Sequence, residues 1–410
     1  MRAPRARLTV DDVERHVREC CFAPADGRRV GVEVEWLVRP VGNGGGGRVP
    51  HAAVRSVVDS IGPLPAGGAI TFEPGGQVEL SGVPTQGPEA ACAAVTADME
   101  VIRGALAAGG ISLAGVGLDP EHPPRRAVHS PRYDAMETYF AAESRRRGRH
   151  WDLDDPGLMM MCSTASVQVN VDLADDVVGA WRLAHDLGPV IAGACANSPY
   201  YLGRPTGWRS TRLAAWWGLD PSRARPAAGN DQDSDPAACW ADYVLSAHVL
   251  LCRDDATRFR PVCTPVPFAR WLSDGIDGAY PDSDDLAYHL TTLFPPVRPR
   301  RFLELRMVDS LPDPWWQVPV AVAGALLGDP VALAAVASAV APARGHWPEA
   351  ARVGLDHPVL GPAAATSFAV AAEVLAGSSL ADIVDAYADR YVSRQRCPAD
   401  DLLAARKVLA

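Results

Sequence analysis

Four short stretches of the chain carry acids, amides or an arginine two residues apart. In "GVEVEW" (31–36) they are Glu33 and Glu35, and in "GQVELS" (76–81) they are Gln77 and Glu79. In "SVQVNVD" (166–172) they are Gln168, Asn170 and Asp172, and in "RFLELRMVD" (301–309) they are Glu304 and Arg306. Side chains alternate along a strand, so each set shares one face. The opposite faces carry Val32, Val34 and Trp36, Val78 and Leu80, three valines of 167–171, and Leu303, Leu305 and Met307. One apolar and one polar face per strand is the pattern of an antiparallel sheet covered by helices on one side.

Any one of these polar faces alone reads as a strand meeting solvent. Together they read differently. They contribute Glu33, Glu35, Glu79, Asp172 and Glu304 and no lysine. Like charges facing each other across strands are destabilising, so something positive should neutralise them. An all-oxygen donor set suits a hard cation such as Mg²⁺ or Mn²⁺, and a Mg²⁺ site with few carboxylates completes its shell with water and phosphates. These residues therefore point to a metal–nucleotide site on an open sheet face, without naming a reaction. Glu73, in "FEPGGQVELS", stands beside Pro74 at a turn that Gly75 and Gly76 allow to be tight.

The elements that must position these residues follow from periodicity and punctuation. Helices are expected over 9–21, 88–108, 134–143, 177–195 and 285–293, and strands over 30–38, 111–118, 161–173 and 301–308. The glycine-rich stretch 41–47 reads as a flexible turn, and 203–236 as a long polar loop, a length more often functional than idle. The chain from about 314 onward reads as helical and alanine-rich, with 330–343 a buried helix too short to span a bilayer. The fold class is α+β: an antiparallel, partly open sheet with one polar face and helices on the other. The whole of 1–410 is expected to form one catalytic domain, with about 30–310 carrying the site strands and about 314–410 a helical part.

The bulk numbers set outer bounds. Of 410 residues, 48% are hydrophobic and 21% charged, ordinary for a globular protein. A formal net charge of −10 argues against a protein whose main work is gripping nucleic acid. Nine scattered cysteines without a CxxC or zinc spacing read as reduced cytoplasmic thiols. The basic N-terminus lacks the apolar core of a signal peptide, and no membrane association is expected.

The same stretches resemble the glutamate–cysteine ligase family, within the glutamine-synthetase-like carboxylate–amine ligases, and most nearly its actinobacterial branch serving ergothioneine synthesis. "GVEVEW" is similar to a G-x-E-x-E strand, and "FEPGGQVELSG" to an E-P-G-G-Q-x-E-L-S-G signature. "MMMCSTASVQVNVD" and "HLTTLFPPVRPRRFLELRMVD" resemble the family's Q-V-N and E-x-R strands. In the long loop, Ser210, Arg212, Trp216, Asp220 and Arg223 keep an S-x-R…W…D…R spacing, and "PRYDAM" and "DYVL" also recur. The resemblance runs from about Val30 to Asp309. Cys162 stands where the plant enzymes usually have arginine, and "SLPDP" replaces a glycine-rich turn.

The resemblance implies an ATP-dependent reaction in which L-glutamate forms a γ-glutamyl phosphate that the amine of L-cysteine opens. It implies Glu33, Glu35, Glu79 and Glu304 as metal ligands, with Glu73 an addition whose role stays open. Glu304 and Arg306 carry the chemistry, Arg306 either pairing with Glu304 or stabilising the phosphoryl group. Gln77, Gln168 and Asn170 orient glutamate or metal-bound water, or else bridge strands. Arg132, Arg212 and Arg223 hold the α-carboxylate of glutamate or the ATP phosphates. Tyr133, Tyr243 and Trp216 line the substrate or adenine pocket, or pack. His129, His289 and Cys162 are structural. Two other readings stand beside this one: a carboxylate–amine ligase with a different acid or amine, and a non-catalytic sensor of nucleotide or amino acid on the same fold.

Overall fold

The computed structural model describes residues 7–23, 28–42, 47–148, 155–173, 175–227, 235–254 and 257–407. The glycine-rich stretch 41–47 and the centre of the 203–236 loop fall largely outside them.

An eight-stranded antiparallel sheet is the frame. Its strands are β1 (Arg29–Pro40), β2 (Ala69–Phe72), β3 (Val78–Ser81), β4 (Thr85–Gln86), β5 (Ile111–Ala114), β6 (Ser166–Asp172), β7 (Val297–Pro299) and β8 (Phe302–Asp309). The main path runs β7-β8-β6-β1-β3-β2, and the long β1 also pairs with β4 and β5. β1 can hold four partners because it has 12 residues, about twice the usual strand length.

The expected alternation decides which face is which. Val32, Val34, Trp36, Val78, Leu80, Val167, Val169, Leu303, Leu305 and Met307 are all at most 2% exposed. They pack against three helices: Gly87–Ala108 on β1 and β5, Val177–Ala194 on β8, and Gln317–Gly328 on β6. The same core continues into the C-terminal helices as far as Val392. The N-terminal helix Val10–Cys21 begins with a capping box, Thr9 Oγ1 accepting from the Asp12 amide while Asp12 accepts from the Thr9 amide.

Several local expectations need correction. The strand expected over 161–173 is two elements, a helix Pro156–Ser163 and then β6. Asp155 caps that helix by accepting from the Leu158 amide, a stronger local signal than the methionine run, which has no clear period. The polar stretch 203–236 holds helices Thr211–Trp217 and Pro221–Ala224, started by Ser210 and Asp220 as caps. The helix Pro330–Val340 is only half buried, with Val331 79% exposed. The buried helix is its neighbour Gln317–Gly328. Among the described residues no single helix is long and apolar enough to cross a membrane, and this consecutive pair meets at 106°.

The end of β8 fastens the frame to the segment above its polar face. Asp309, buried, accepts from the Asn197 amide at 2.8 Å, from Ser198 Oγ at 2.7 Å and from Ser210 Oγ at 2.8 Å, and faces Arg212 at 3.8 Å. Replacing Asp309 with alanine strands Arg212 and three donors without their acceptor. The expected cost is about 3–5 kcal/mol of stability, read from chemical denaturation. A cost below about 1 kcal/mol would show that the segment is held otherwise.

Candidate active site

Strand register brings the polar side chains into one place. Across β1 and β3, Glu35 pairs with Glu79 and Glu33 with Ser81. Across β1 and β6, Glu33 pairs with Gln168, and across β6 and β8, Asn170 pairs with Glu304. The register slips between Leu305 and Val308, a bulge that bears Arg306. Arg212 donates to the Arg306 carbonyl at 2.8 Å and so holds the bulge.

The polar face is partly covered. Helices Pro131–Arg147, Pro156–Ser163 and Thr211–Trp217 roof it through Arg132, Tyr133, Met160 and Trp216, leaving a cavity of about 240 Å³. Glu33, Glu35, Glu73, Glu79, Gln168, Arg212, Glu304 and Arg306 all line it.

Glu73 is where the sequence was least decisive and the geometry is clearest. The β2–β3 turn closes with the Glu73 amide donating to Gln77 O at 3.0 Å and the Gly76 amide donating to Glu73 O at 2.8 Å. Gly76 has φ +87°, and a Cβ on Gly75 would overlap the Cys162 carbonyl, so both glycines are required. The Pro74 carbonyl accepts from the amides of Ala127 and Val128 at 2.8 and 2.9 Å. Pinned this way, Glu73 joins Glu35 and Glu79 so that one carboxylate oxygen from each lies within 4.8 Å of the others.

These three acids are short of positive partners. Glu35 accepts from the Ser166 amide at 2.9 Å and Gln168 Nε2 at 3.0 Å. Glu79 accepts from Thr71 Oγ1 at 2.7 Å and Ser81 Oγ at 3.2 Å. Burial, then the Glu79 charge, push the Glu35 carboxyl up to about 7 despite Arg212 and Arg306. Desolvation, then Glu35 and Glu79, push Glu73 well above the ordinary carboxylate range. Glu33 is raised as well, by burial and then by Glu304 and Glu79, and it accepts from Asn170 Nδ2 at 3.1 Å. Three converging carboxylates that repel one another fit a hard divalent ion, which oxygen donors favour.

Glu304 stands apart from this trio. Arg298 grips it with both arms of its fork, Nε at 2.6 Å and Nη2 at 2.8 Å, and Arg306 Nη1 adds a further short bond. Burial would raise its carboxyl, but Arg298 and Arg306 outweigh that and hold it down at about 2. The structure thus places Glu304 as the anchor of two arginines and does not bring it among the three clustered acids. Arg306 Nη1 also donates to Gln168 Oε1 at 2.7 Å, and Gln168 in turn donates to Glu35. One chain of bonds therefore runs Arg298–Glu304–Arg306–Gln168–Glu35. Arg306 Nε, Arg212 Nε and Arg212 Nη1 are buried without a hydrogen-bond partner among the described residues. In a cavity, such donors are the complement of an anion.

The remaining sequence candidates divide. Arg132 sits at the rim, donating to Thr291 at 3.1 and 3.2 Å with its guanidinium over Tyr288. Trp216 lies between Arg212 and Arg306, whose guanidiniums are 5.4 and 5.6 Å from its ring centre. Gln77 lies behind the turn, donating to Thr164 O at 2.8 Å. Asp172 pairs with Arg29 at 3.0 Å at the far end of the sheet. Arg223 is fully buried and donates to the carbonyls of Thr292 and His248, which makes it a loop tie away from the cavity lining. Tyr243 stacks on Trp240 at 5.1 Å, also outside the acid cavity. Arg298 had no role assigned from the sequence. Its position six residues before Glu304, across a short β7–β8 hairpin, was the available signal.

The trio gives a pH-dependent expectation. A cation needs the ionised carboxylates, and Glu35 ionises near 7 in the metal-free protein, with Glu73 above the ordinary range. Protonation therefore competes with the metal below about pH 7. The rise in melting temperature caused by Mg²⁺ should grow from pH 6 to pH 8 and vanish in Glu73→Gln. A pH-independent rise, or one unaltered in that variant, would place the cation elsewhere.

Comparison with known proteins agrees with the site. Residues 29–409 match the model of glutamate-cysteine ligase family 2. A glutamate–cysteine ligase EgtA of Mycolicibacterium smegmatis is 44% identical over 379 residues, covering 91% of this chain and 86% of the relative. The protein of that name from Mycobacterium tuberculosis is 43% identical over 354 residues, covering 85% and 79%. A chloroplastic glutamate–cysteine ligase of Arabidopsis thaliana is 31% identical over 254 residues, covering 60% and 46%. With the family's strands folded into one acid-lined cavity and the match spanning nearly its whole length, this chain belongs to glutamate–cysteine ligase family 2.

Proposed function

We propose that this protein is an ATP-dependent glutamate–cysteine ligase that joins the γ-carboxylate of L-glutamate to the amine of L-cysteine, giving γ-glutamylcysteine, ADP and phosphate. The observation that carries this reading is the single cavity in which clustered carboxylates meet arginines with unused donors. The relatives named glutamate–cysteine ligase EgtA support it.

The residues divide the work by charge. Glu35, Glu73 and Glu79 would hold a divalent cation, Mg²⁺ or Mn²⁺. Such an ion would supply charge neutralisation for the phosphate oxygens. Phosphoryl transfer asks for positioning and charge neutralisation more than for covalent help. Arg306 and Arg212 supply donors for the charge that develops on the transferring phosphoryl group and on the γ-carboxylate. Arg132, at the rim, suits the α-carboxylate of glutamate. Gln168 and Asn170 keep Glu35 and Glu33 turned to the cavity. Glu304 acts through Arg306, whose fork it fixes jointly with Arg298. The roof of Tyr133, Met160 and Trp216 excludes water that would otherwise hydrolyse the acyl phosphate.

The chain is proposed to work as one catalytic domain, because the C-terminal helices share the core behind the sheet. Nine free cysteines support a reducing, cytoplasmic setting.

Incubation with Mg²⁺, ATP, L-glutamate and L-cysteine should release ADP and form the dipeptide. In a panel of amines and acids scored by ADP release, cysteine and glutamate should be preferred. Preference for another amine would replace this reading with another carboxylate–amine ligase, and ATP binding without ADP release would replace it with a sensor. Glu79→Gln should lower kcat by at least about 10²-fold, since a phosphate clamp is worth several kcal/mol. Arg298→Gln should preserve Mg²⁺ stabilisation yet lower kcat roughly 10²-fold, the penalty of a misplaced Arg306. Near-normal kcat in Arg298→Gln would show that Glu304 positions Arg306 without help from Arg298.

A further inference from the structure

The turn between β2 and β3 has two sides. Glu73 lines the acid cavity in front of it, and Gln77 lies behind. Behind the turn is a small cavity of about 60 Å³ that shares no lining residue with the acid cavity. Its polar lining is Arg48, His51, Gln77, Asp119 and Arg125, beside the backbone of Gly75 and Gly76. That volume has room for about two waters or one small ion.

Two buried polar atoms here lack partners among the described residues. Gln77 is 3% exposed, and its Nε2 donates to Thr164 O at 2.8 Å, but its Oε1 accepts from nothing. His51 Nδ1 is equally unpartnered, on a ring held edge-on against Phe72 at 4.8 Å. A buried amide oxygen of this kind calls for a donor. The charged groups call for an anion. Arg48 gives one arm to the Pro123 carbonyl and keeps the rest of its fork. Arg125 is exposed and has no ion-pair partner among the described residues. Asp119 is already compensated: it accepts from the amides of Glu121 at 3.0 Å and His122 at 3.2 Å and lies 3.6 Å from Arg39. The helix His51–Val58 also begins here without a side-chain cap, which adds the positive end of its dipole.

We propose that this cavity is a binding site for a small oxyanion that still carries a proton, inorganic hydrogen phosphate. Its P–OH donates to Gln77 Oε1, while its other oxygens accept from Arg48 and Arg125. His51 serves either as donor or as acceptor, according to its tautomer. Both demands of the lining are met by one ion: a donor for the buried amide oxygen and negative charge for the two guanidiniums. Sulfate has the same shape but no proton at neutral pH. It leaves Gln77 Oε1 unpaired against a negative oxygen, which is unfavourable for a buried acceptor. The site lies outside the acid cavity and stands independently of the ligase reading.

Equilibrium dialysis of the full chain against radiolabelled inorganic phosphate, at neutral pH without Mg²⁺ or nucleotide, tests this. Phosphate should bind, and unlabelled sulfate should compete at least about tenfold less well than unlabelled phosphate. Arg125→Ser, at an exposed position that leaves the fold alone, should weaken binding about tenfold, and Arg48→Ser with Arg125→Ser should weaken it further. Arg306→Gln, which removes donors from the acid cavity, should leave binding at this site unchanged. Binding that is lost in Arg306→Gln and kept in the double variant would overturn the inference, because the phosphate would then lie in the acid cavity. Equal competition by sulfate would also overturn it, since nothing would then be reading the proton. No phosphate binding at all would show that the cavity holds water only, with Gln77 and His51 paired to it.

Discussion

Glu35 and Glu79 face each other directly across an antiparallel pair, and Glu73 leans in from the adjoining turn. An uncompensated arrangement of this kind is unfavourable, because two carboxylates opposite each other repel and burial strengthens the repulsion. Much of the architecture serves to enforce it. The apolar faces of β1 and β3 are locked into the core by Trp36, Val34, Val78 and Leu80, so neither strand can shift its register to separate the acids. The turn cannot relax either, because Gly75 packs against the Cys162 backbone and Pro74 is bound through its carbonyl. The protein thus holds negative charge in a form that a cation and phosphates can complete.

The positive side of the cavity is built on a different principle. Arg306 sits on a bulge, and a bulge by itself does not fix where a long side chain points. Its position comes from a relay of buried bonds, with Glu304 gripping it from one side, Gln168 from the other, and Arg298 saturating Glu304. Arg212 holds the bulge carbonyl and is itself tied through Asp309 to the segment carrying Ser198 and Ser210. Arg212 Nε and Nη1 and Arg306 Nε are left without a hydrogen-bond partner among the described residues. Gln168 joins the two halves of the cavity, accepting from Arg306 and donating to Glu35.

The sheet was legible in the sequence because a period of two survives any packing arrangement. Every apolar position read from 31–36, 76–81, 166–172 and 301–309 is in the core. Two things were not legible. Helix Pro156–Ser163 has a methionine run that fits a strand as well as a helix, and only the Asp155 cap distinguishes them. The roof over the polar face depends on long-range packing of 131–147 and 211–217, which no local pattern specifies. At the site, the shared face told which acids are near one another, but strand order decides which of them converge. That is why Glu304, two strands from β1, belongs to the arginine relay, and Glu73, in a turn, converges with Glu35 and Glu79. Arg223 matched a family spacing, yet its burial against Thr292 and His248 carbonyls makes it a tie within the loop.

The central claim is that Glu35, Glu73 and Glu79 together form the cation site. Crystals soaked in Mn²⁺ and measured at the manganese absorption edge test it directly. The account predicts an anomalous peak within coordination distance of all three carboxylates, with Glu304 still held by Arg298. A peak on Glu304, or none near the trio at saturating Mn²⁺, would contradict it.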